Sequence, residues 1–331
     1  MAGVTASIWF TRPRQVEVRE ETLPSVGPRD VRVEAIASAI SHGTEMLVFR
    51  GQVPEGLELD LPTLQGSFAF PIKYGYASLG RVVDTGAEVL CPVPGDVVFV
   101  HHPHQAAYVV PADMAIRLPT TLEPECGVFL ANVETATNVV LDAAPRLRER
   151  VAIFGQGTVG LLITQLVRRT GAAQITVVDP IARRRELALR VGADEALASG
   201  GALDGAEFDL AIEASGHPAA LDEALRSVTF GGSVIVCSWY GTKPVSIALG
   251  GAFHRRRLRI VSSQVSTIDA SLQPRWSRQR RLDVARDLLA ELELKSLISH
   301  RFPIAHAADA YALLDGRPED TVQVVLTYGS A

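Results

Sequence analysis

The sequence predicts an α/β protein of two domains, one a doubly wound parallel sheet and the other rich in β-strands. Three observations lead to this prediction. A buried-strand pattern runs directly into a glycine-rich turn and a helical segment within 151–169. Strand-like and helix-like segments then alternate as far as residue 263, which is typical of a parallel sheet covered by helices. Residues 1–113 instead contain short strand-like segments separated by turns rich in Pro and Gly.

Length and composition restrict the class of protein. A chain of 331 residues, of which 47% are hydrophobic and 21% charged, can form two globular domains. The net charge of −5 gives no reason to expect nucleic acid or a membrane as a partner. No apolar run reaches the length of a membrane span, and the first residues do not resemble a secretory signal. The three cysteines are isolated and form no disulfide framework, so we expect a cytoplasmic protein.

The stretch 151–179 organises the second domain. Its strand ends at the motif Gly155-Gln156-Gly157-Thr158-Val159-Gly160. Gly155 permits a tight turn, Gly157 lets the backbone approach a pyrophosphate, and Gly160 lets the helix pack against the strand. The helix N-terminus then presents N–H groups to the phosphates. Asp179 ends the next strand, where its carboxylate can accept hydrogen bonds from ribose hydroxyls. The pattern therefore predicts a dinucleotide-binding unit.

The identity of the dinucleotide depends on the charges after the second strand. The negative charge of Asp179 would repel a 2′-phosphate, which favours NAD(H). Arg183 and Arg184 follow closely and could attract that phosphate, so NADP(H) stays open as the alternative.

Four segments, spread along the chain, carry a family resemblance. They are Pro94–Val98 (PGDVV), Tyr108–Asp113 (YVVPAD), the central glycine motif, and an ending that begins at Phe302 with FPI. Together they resemble the medium-chain dehydrogenase/reductase superfamily, the alcohol dehydrogenase-like proteins. The resemblance implies a GroES-like catalytic domain of residues 1–131, completed by 268–331, and a Rossmann domain of residues 132–267. It also implies a homodimer, with the active site in a cleft between the domains.

The chain departs from the zinc-containing members at their ligand positions. Where those members carry Cys-Gly-Thr/Ser-Asp and Gly-His-Glu, this chain reads Ser41–Glu45 (SHGTE) and Gly75–Ala77 (GYA), and the region of the third ligand reads Ala131–Thr135 (ANVET). A catalytic zinc needs three protein ligands, and only His42 stands in a matching place. The four-cysteine structural zinc loop is replaced by His101–Gln105. We therefore predict a member without zinc, similar in the first two segments to hydroxyethyl bacteriochlorophyllide dehydrogenases.

Without zinc, another group must polarise the substrate and move a proton. Tyr76 stands at a zinc-ligand position and is the first candidate; its alternative is an aromatic residue of the cleft wall. His42 is the second candidate, as an acid/base group or a phosphate contact, against a side chain that is merely hydrogen-bonded. Thr44 matches the proton-relay hydroxyl of the family. Glu45 either orients His42 or caps a helix.

Several further residues have both a functional and a structural interpretation. Glu134 faces either the cleft or solvent. The three histidines of 101–104 predict a loop that lines the cleft rather than a metal site. Trp239 and Tyr240 lie beside the nicotinamide by analogy, or pack between domains. The basic runs 254–259 and 275–281 predict solvated or inter-subunit surface. The long segment 52–70 has weak periodicity, and a loop of this length in a compact domain is functional or disordered.

The predicted site has three groups of residues. The catalytic residues are Tyr76, His42 and Thr44. The cofactor-binding residues are Gly155, Gln156, Gly157, Thr158, Val159, Gly160, Asp179, Arg184, Thr135 and Trp239. The substrate-binding residues are Glu45, His104, Glu134 and Tyr240, and the segment 52–70 lines the same cleft.

The predicted activity is the interconversion of an alcohol and a ketone or aldehyde on a small-molecule substrate. The first alternative is reduction of an activated C=C bond, as in quinone or enoyl reductases, because relatives without zinc act in that way. The second alternative is a nucleotide-binding protein without turnover, which would fit if Tyr76 and His42 both point into the core.

Overall fold

The computed structural model describes residues 3–61 and 63–329, and these form two compact units. Unit 1 lies within 1–131 and 294–331, and unit 2 is 132–293.

The strands are β1 (Val4–Arg12), β2 (Gln15–Thr22), β3 (Asp30–Ile40), β4 (Glu58–Leu61), β5 (Leu64–Ser67), β6 (Ile72–Lys73), β7 (Ser78–Thr85), β8 (Val97–Val100), β9 (Ala107–Pro111), β10 (Ile116–Arg117), β11 (Arg150–Phe154), β12 (Gln174–Val178), β13 (Glu195–Leu197), β14 (Phe208–Glu213), β15 (Val228–Val236), β16 (Arg259–Ser262), β17 (Ile298–Pro303) and β18 (Gln323–Thr327). The α-helices are α1 (Thr44–Phe49), α2 (Leu130–Ala143), α3 (Thr158–Arg168), α4 (Ala182–Arg190), α5 (Pro218–Ser227), α6 (Arg278–Leu288) and α7 (Ala307–Gly316).

Unit 1 is built on two sheets. The larger has the order β10-β8-β7-β3-β18-β17, with β9 also paired to β3, and the smaller has the order β2-β1-β6. The C-terminal strand β18 runs antiparallel to β3, so the end of the chain completes the sheet that its beginning starts. Helix α7 buries Ala307, Ala310, Tyr311 and Leu314, which share one helical face, in the core of this unit. The rings of Phe10, Phe49 and Tyr311 meet there with centroids 5.1–5.5 Å apart.

Unit 2 is a doubly wound parallel sheet with the order β13-β12-β11-β14-β15-β16. Val151–Phe154 of β11 are all buried, as expected for a central strand covered by helices on both faces. The strand order reverses between β11 and β14. Ligands of such sheets bind where the strands end at this reversal.

Two segments differ from the sequence-based expectation. The segment 52–70, read as a loop without regular structure, contains the antiparallel hairpin β4–β5, with Glu58 opposite Ser67 and Leu61 opposite Leu64. Residues 268–293, assigned to the catalytic domain, lie in unit 2. The reason is helix α6, whose Arg281 bonds to α2 of the same unit.

Arg281 departs from the prediction that the basic run 275–281 is solvated or inter-subunit surface, since this residue is 1% exposed, whereas Arg275, Arg278 and Arg280 are exposed. Arg281, Ala285 and Leu289 recur at helical spacing and are all buried, so they form the inward face of this segment. Within the described ranges, no helix combines the length and apolar character needed to cross a membrane.

Candidate functional site

The glycine-rich bend of unit 2 lies at the strand-order reversal, between β11 and α3. Gly155 has φ +91°, and a Cβ there would come within 2.6 Å of the Ser215 backbone. A Cβ on Gly160 would lie 1.9 Å from the carbonyl oxygen of Gly155. A Cβ on Gly157 would meet no heavy atom of the described chain within 4 Å. Gly155 and Gly160 therefore permit the fold of the bend, while Gly157 leaves open space beside the start of α3.

Asp179 holds this bend in place. It is 3% exposed, and its carboxylate accepts hydrogen bonds from the backbone N–H of Gln156 at 2.7 Å and of Ile181 at 2.9 Å. Arg184 Nη1 lies 3.9 Å from Asp179 Oδ2. Each carboxylate oxygen has a further lone pair, so a ribose hydroxyl can still be accepted. Arg184 reduces the negative charge that a 2′-phosphate would meet.

The predicted cofactor residues thus have different roles. The Gln156 side chain points inward, where it accepts a hydrogen bond from Thr164 at 3.0 Å and donates one to Gly155 O, so it supports the bend instead of contacting a ligand. Thr158 is buried and Val159 partly exposed in the first turn of α3. Thr135 on α2 is partly exposed.

A second loop beside the bend depends on Glu213, which sequence reasoning missed. Glu213 ends β14 and is 0% exposed. Its Oε1 accepts hydrogen bonds from Ser215 N at 2.7 Å, Ser215 Oγ at 2.6 Å and Gly216 N at 3.0 Å. Trp239 and Tyr240 follow β15 and are partly exposed. Burial and the nearby Glu213 carboxylate raise the pKa of Tyr240. The sequence did contain a signal for Glu213: an acidic residue at the end of a central strand, followed directly by Ala214-Ser215-Gly216.

Glu134 is held inside unit 2 by an ion pair. Its Oε1 accepts hydrogen bonds from Arg281 Nε at 3.1 Å and Nη2 at 2.9 Å, and Arg281 also donates to Asn138 at 2.6 Å. This contact differs from both environments predicted for Glu134, which were a position facing the cleft and a solvated helix face. The pair instead ties α6 to α2.

In unit 1 the predicted catalytic residues meet at the start of α1. Tyr76 is partly exposed, and its side chain hydrogen-bonds with Ser41 and Thr44. Burial raises the pKa of Tyr76 to about 12, although these two hydrogen bonds oppose the increase. The phenol therefore keeps its proton at neutral pH. His42 is partly exposed in the turn before α1, and its catalytic role stays a prediction.

Below this group lies a buried polar network around Glu45. The Glu45 carboxylate accepts hydrogen bonds from Tyr311 OH, from Ser41 N at 3.0 Å and from His104 Nε2 at 2.8 Å. Because a carboxylate only accepts, Nε2 of His104 carries a hydrogen. Ser38 Oγ lies 2.6 Å from His104 Nδ1 and 2.6 Å from the Tyr328 hydroxyl.

Glu45 and His104 are both 0% exposed, so the prediction that they contact substrate is wrong for this structure. Both lie beneath Tyr76 in the core. Glu45 accepts a hydrogen bond from the backbone of Ser41, whose side chain in turn bonds to Tyr76. Glu45 contacts His104 and Tyr311, because the first turn of α1 directs the carboxylate into the core. The expectation that Glu45 orients His42 stays a prediction.

The three neighbouring histidines diverge. His101 Nδ1 lies 3.2 Å from the Tyr76 carbonyl oxygen, whereas His102 stacks on Tyr108 with ring centroids 3.8 Å apart. Burial lowers the pKa of His102 to about 3, so this ring is neutral. Among the residues that the structure describes, no group of three or more His, Cys, Asp or Glu could hold a metal ion. Both nitrogens of His104 are hydrogen-bonded, to Glu45 and Ser38, and position 76 offers a phenol. The absence of zinc stays a prediction.

Comparisons with known proteins agree with this architecture. Residues 158–278 match the family described as zinc-binding dehydrogenase. The D-guloside 3-dehydrogenase of Escherichia coli (strain K12) is 26% identical, with 96% of this chain and 98% of the relative aligned. The 2-desacetyl-2-hydroxyethyl bacteriochlorophyllide A dehydrogenase of Rhodobacter capsulatus is 29% identical, with 99% of both chains aligned.

Solved structures share the fold. A zinc-binding dehydrogenase from Sinorhizobium meliloti 1021 bound to NADP has a TM-score of 0.77 and 23% identity, covering 98% of this chain and 99% of its own. The rspB dehydrogenase from Escherichia coli CFT073, complexed with NADH, has a TM-score of 0.80 and 22% identity, with 98% and 99% covered. The chain is therefore similar over nearly its whole length to dehydrogenases of the medium-chain dehydrogenase/reductase type, and the glycine bend together with these relatives supports an NAD(P)-dependent oxidoreductase.

Proposed function

We propose that the protein interconverts an alcohol and a ketone or aldehyde, with Tyr76 rather than a metal ion handling the proton. The observation that carries this proposal is the Tyr76 phenol, hydrogen-bonded to Ser41 and Thr44 and protonated at neutral pH. The named relatives support the alcohol chemistry, since they include a guloside 3-dehydrogenase, a hydroxyethyl bacteriochlorophyllide dehydrogenase and a butanediol dehydrogenase.

The residues divide the work between the two units. The open space at Gly157 and the N-terminus of α3 suit the pyrophosphate, and Asp179 suits the adenosine ribose, which favours NAD(H). The nicotinamide, when bound, would exchange a hydride with the substrate carbon. In the reducing direction Tyr76 donates its proton to the substrate oxygen as the C=O bond becomes C–O–H. This donation leaves a phenolate, which Ser41 and Thr44 stabilise by donating hydrogen bonds. In the oxidising direction the phenolate takes the proton from the alcohol, and the neutral phenol is restored.

The proposal separates two roles in unit 1. Tyr76 is the catalytic residue, and Glu45 is a positioning residue that acts through Ser41. This arrangement supplies a group that polarises the carbonyl and a proton source; the first of these is the role that a zinc ion would otherwise take.

The test is Tyr76→Phe, assayed with NADH on a panel of ketones, aldehydes and enones. We expect kcat/KM for carbonyl reduction to fall at least about 100-fold, because loss of a positioned proton donor costs about 10²–10⁴ in rate. NADH affinity should be unchanged. Tyr108→Phe is the control, since that phenol is buried away from Tyr76 and its hydroxyl lies 2.9 Å from Ser78 Oγ.

Full activity of Tyr76→Phe would exclude Tyr76 as the proton donor. Activity on enones but on no alcohol or ketone would favour the C=C reductase instead. Loss of activity after dialysis against a chelator, restored by zinc, would refute the metal-independent mechanism.

A further inference from the structure

His104 is a buried histidine that takes no part in any step of the proposed reaction. It lies between β8 and β9 and is 0% exposed. Its Nε2 donates a hydrogen bond to Glu45 at 2.8 Å, and its Nδ1 lies 2.6 Å from Ser38 Oγ. Its main chain is fixed as well, because it accepts a hydrogen bond from Ile8 N at 3.0 Å and donates one to Tyr74 O at 3.4 Å. The imidazole is therefore held at both nitrogens and along its backbone.

The ring of His104 packs directly against the residue that precedes Tyr76. Gly75 has φ +123°, and a Cβ there would come within 2.7 Å of His104 Cδ2 and 2.8 Å of Nε2. Glycine lets the chain adopt this φ and pass this close to the ring. The backbone that enters Tyr76 thus rests on the imidazole, and a displaced ring would change where that backbone lies.

His104 also supports Tyr76 by a second route, through Glu45. The Glu45 carboxylate accepts hydrogen bonds from His104 Nε2 and from Ser41 N at 3.0 Å. The Ser41 side chain in turn bonds to Tyr76. A buried carboxylate keeps one orientation while its donors are in place, so loss of the His104 bond would free Glu45 and the turn before α1 to move. Two separate contacts of one ring therefore act on the same phenol.

We propose that His104 is a positioning residue for Tyr76, which it fixes through its packing on Gly75 and its hydrogen bond to Glu45. This inference rests on the proposed role of Tyr76 in proton transfer. Because the His104 ring is buried beneath the phenol, it acts on kcat through the geometry of the proton donor and leaves the affinity for substrate unchanged. A misplacement of about 1 Å at a reacting group costs about 10²-fold in rate.

The first experiment compares two amides that each keep one of the two ring contacts. In His104→Gln the amide nitrogen reaches the place of Nε2 and keeps the bond to Glu45. In His104→Asn the shorter side chain reaches only the place of Nδ1, beside Ser38. Both variants are assayed with saturating NADH on the carbonyl compound that the unmodified chain reduces fastest.

We expect kcat to stay within about threefold in His104→Gln and to fall at least about tenfold in His104→Asn, because only the first keeps the geometry of the proton donor. KM for the carbonyl compound should change by less than about twofold in both, since the ring does not contact substrate. Equal kcat in the two variants, whether high or low, would overturn the proposal, because the bond to Glu45 would then have no effect.

His102→Gln and His102→Asn are the matched controls. This neighbouring histidine is also buried, but its ring stacks on Tyr108 and its Nδ1 lies 2.9 Å from Pro103 O. Both controls should keep kcat within about twofold of the unmodified chain. A tenfold difference between them, of the kind expected at position 104, would overturn the proposal, since the effect would then not depend on Glu45 or Gly75.

Circular dichroism and thermal unfolding check that each variant is folded. If His104→Asn does not fold, His104→Asn/Glu45→Gln takes its place, because this double variant leaves no buried carboxylate without its donor. Its kcat should also fall at least about tenfold. The kcat of the unmodified chain in this variant would overturn the proposal.

The second experiment observes position 76 directly and needs no turnover. Fluorotyrosine is incorporated at position 76 of the full chain, and its fluorine NMR resonance is recorded. We expect one narrow resonance in the unmodified chain and in His104→Gln, and a broadened or split resonance in His104→Asn, where the phenol no longer has a single position. An unchanged resonance in folded His104→Asn would overturn the proposal. A resonance that responds as expected, together with full activity of Tyr76→Phe, would refute the proposed reaction but support the positioning by His104.

Discussion

Tyr76 is partly exposed, and its pKa is nevertheless raised. Burial lifts the pKa to about 12, while hydrogen bonds from Ser41 and Thr44 limit the increase. A phenol in this state can give a proton to a developing alkoxide at any pH well below its pKa of about 12. The same hydrogen bonds favour the phenolate that forms once the proton is given up, although burial outweighs them.

The pH dependence follows directly from this pKa. Carbonyl reduction requires the protonated phenol, and a raised pKa keeps that form dominant below about pH 11. We therefore expect kcat for reduction at saturating NADH to show no Tyr76-dependent decrease between pH 6 and 10. A decrease with an apparent pKa of 7–9 that vanishes in Tyr76→Phe would contradict the assignment.

At the scale of elements, the glycine bend separates folding from ligand binding. A Cβ at Gly160 would collide with Gly155 O, whereas a Cβ at Gly157 would enter open space. We predict that Gly157→Ala folds with an unchanged Tm but binds NADH about tenfold or more weakly, because the methyl group takes the space of the pyrophosphate.

The companion change, Gly160→Ala, should lower the stability of unit 2 itself. Cofactor fluorescence and thermal unfolding of both variants distinguish the two effects. If Gly157→Ala bound NADH like the unmodified chain, the dinucleotide would not lie across this bend.

Helix α6 is attached to α2 through one buried guanidinium. Arg281→Met would leave Glu134 as a nearly buried carboxylate without its cation, and we expect the free energy of unfolding to fall by about 3 kcal/mol. Urea denaturation measures this change. Arg278→Met, at an exposed position on the same helix, should stay within about 0.5 kcal/mol.

The double variant Arg281→Met/Glu134→Met is informative because it removes both charges. It should recover part of the loss, since the cost arises from the unpaired carboxylate. A double variant less stable than Arg281→Met would show that packing around Arg281, not charge pairing, holds α6.

The whole molecule is divided so that one unit is continuous in sequence and the other is not. Unit 2 contains all six strands of its sheet within 132–293, whereas unit 1 needs β17, β18 and α7 from the end of the chain. We predict that a fragment of residues 132–293 folds cooperatively and binds NADH, measured by circular dichroism and cofactor fluorescence.

A fragment of residues 1–131 should remain unfolded, because β3 loses its partner β18 and the core loses the buried face of α7. Cooperative unfolding of that fragment would contradict this division of the fold.

Local pattern was enough to predict unit 2 and its cofactor bend. Gly155, Gly157, Gly160 and Asp179 lie within 25 residues, and the backbone that a Cβ on Gly160 would meet is that of Gly155 in the same bend. The hairpin in 52–70 was missed because its strands are short and mostly exposed, so they leave no clear alternation.

The partners of the buried charges could be known only from the packed structure. Glu45 pairs with Tyr311, 266 residues away, and Arg281 pairs with Glu134 across 147 residues. A single sequence records that a carboxylate or a guanidinium is present, but not which distant group removes the cost of burying it. Folding brings those groups together, and it thereby makes Glu45 a support for Ser41 and, through it, for the proposed catalytic residue Tyr76.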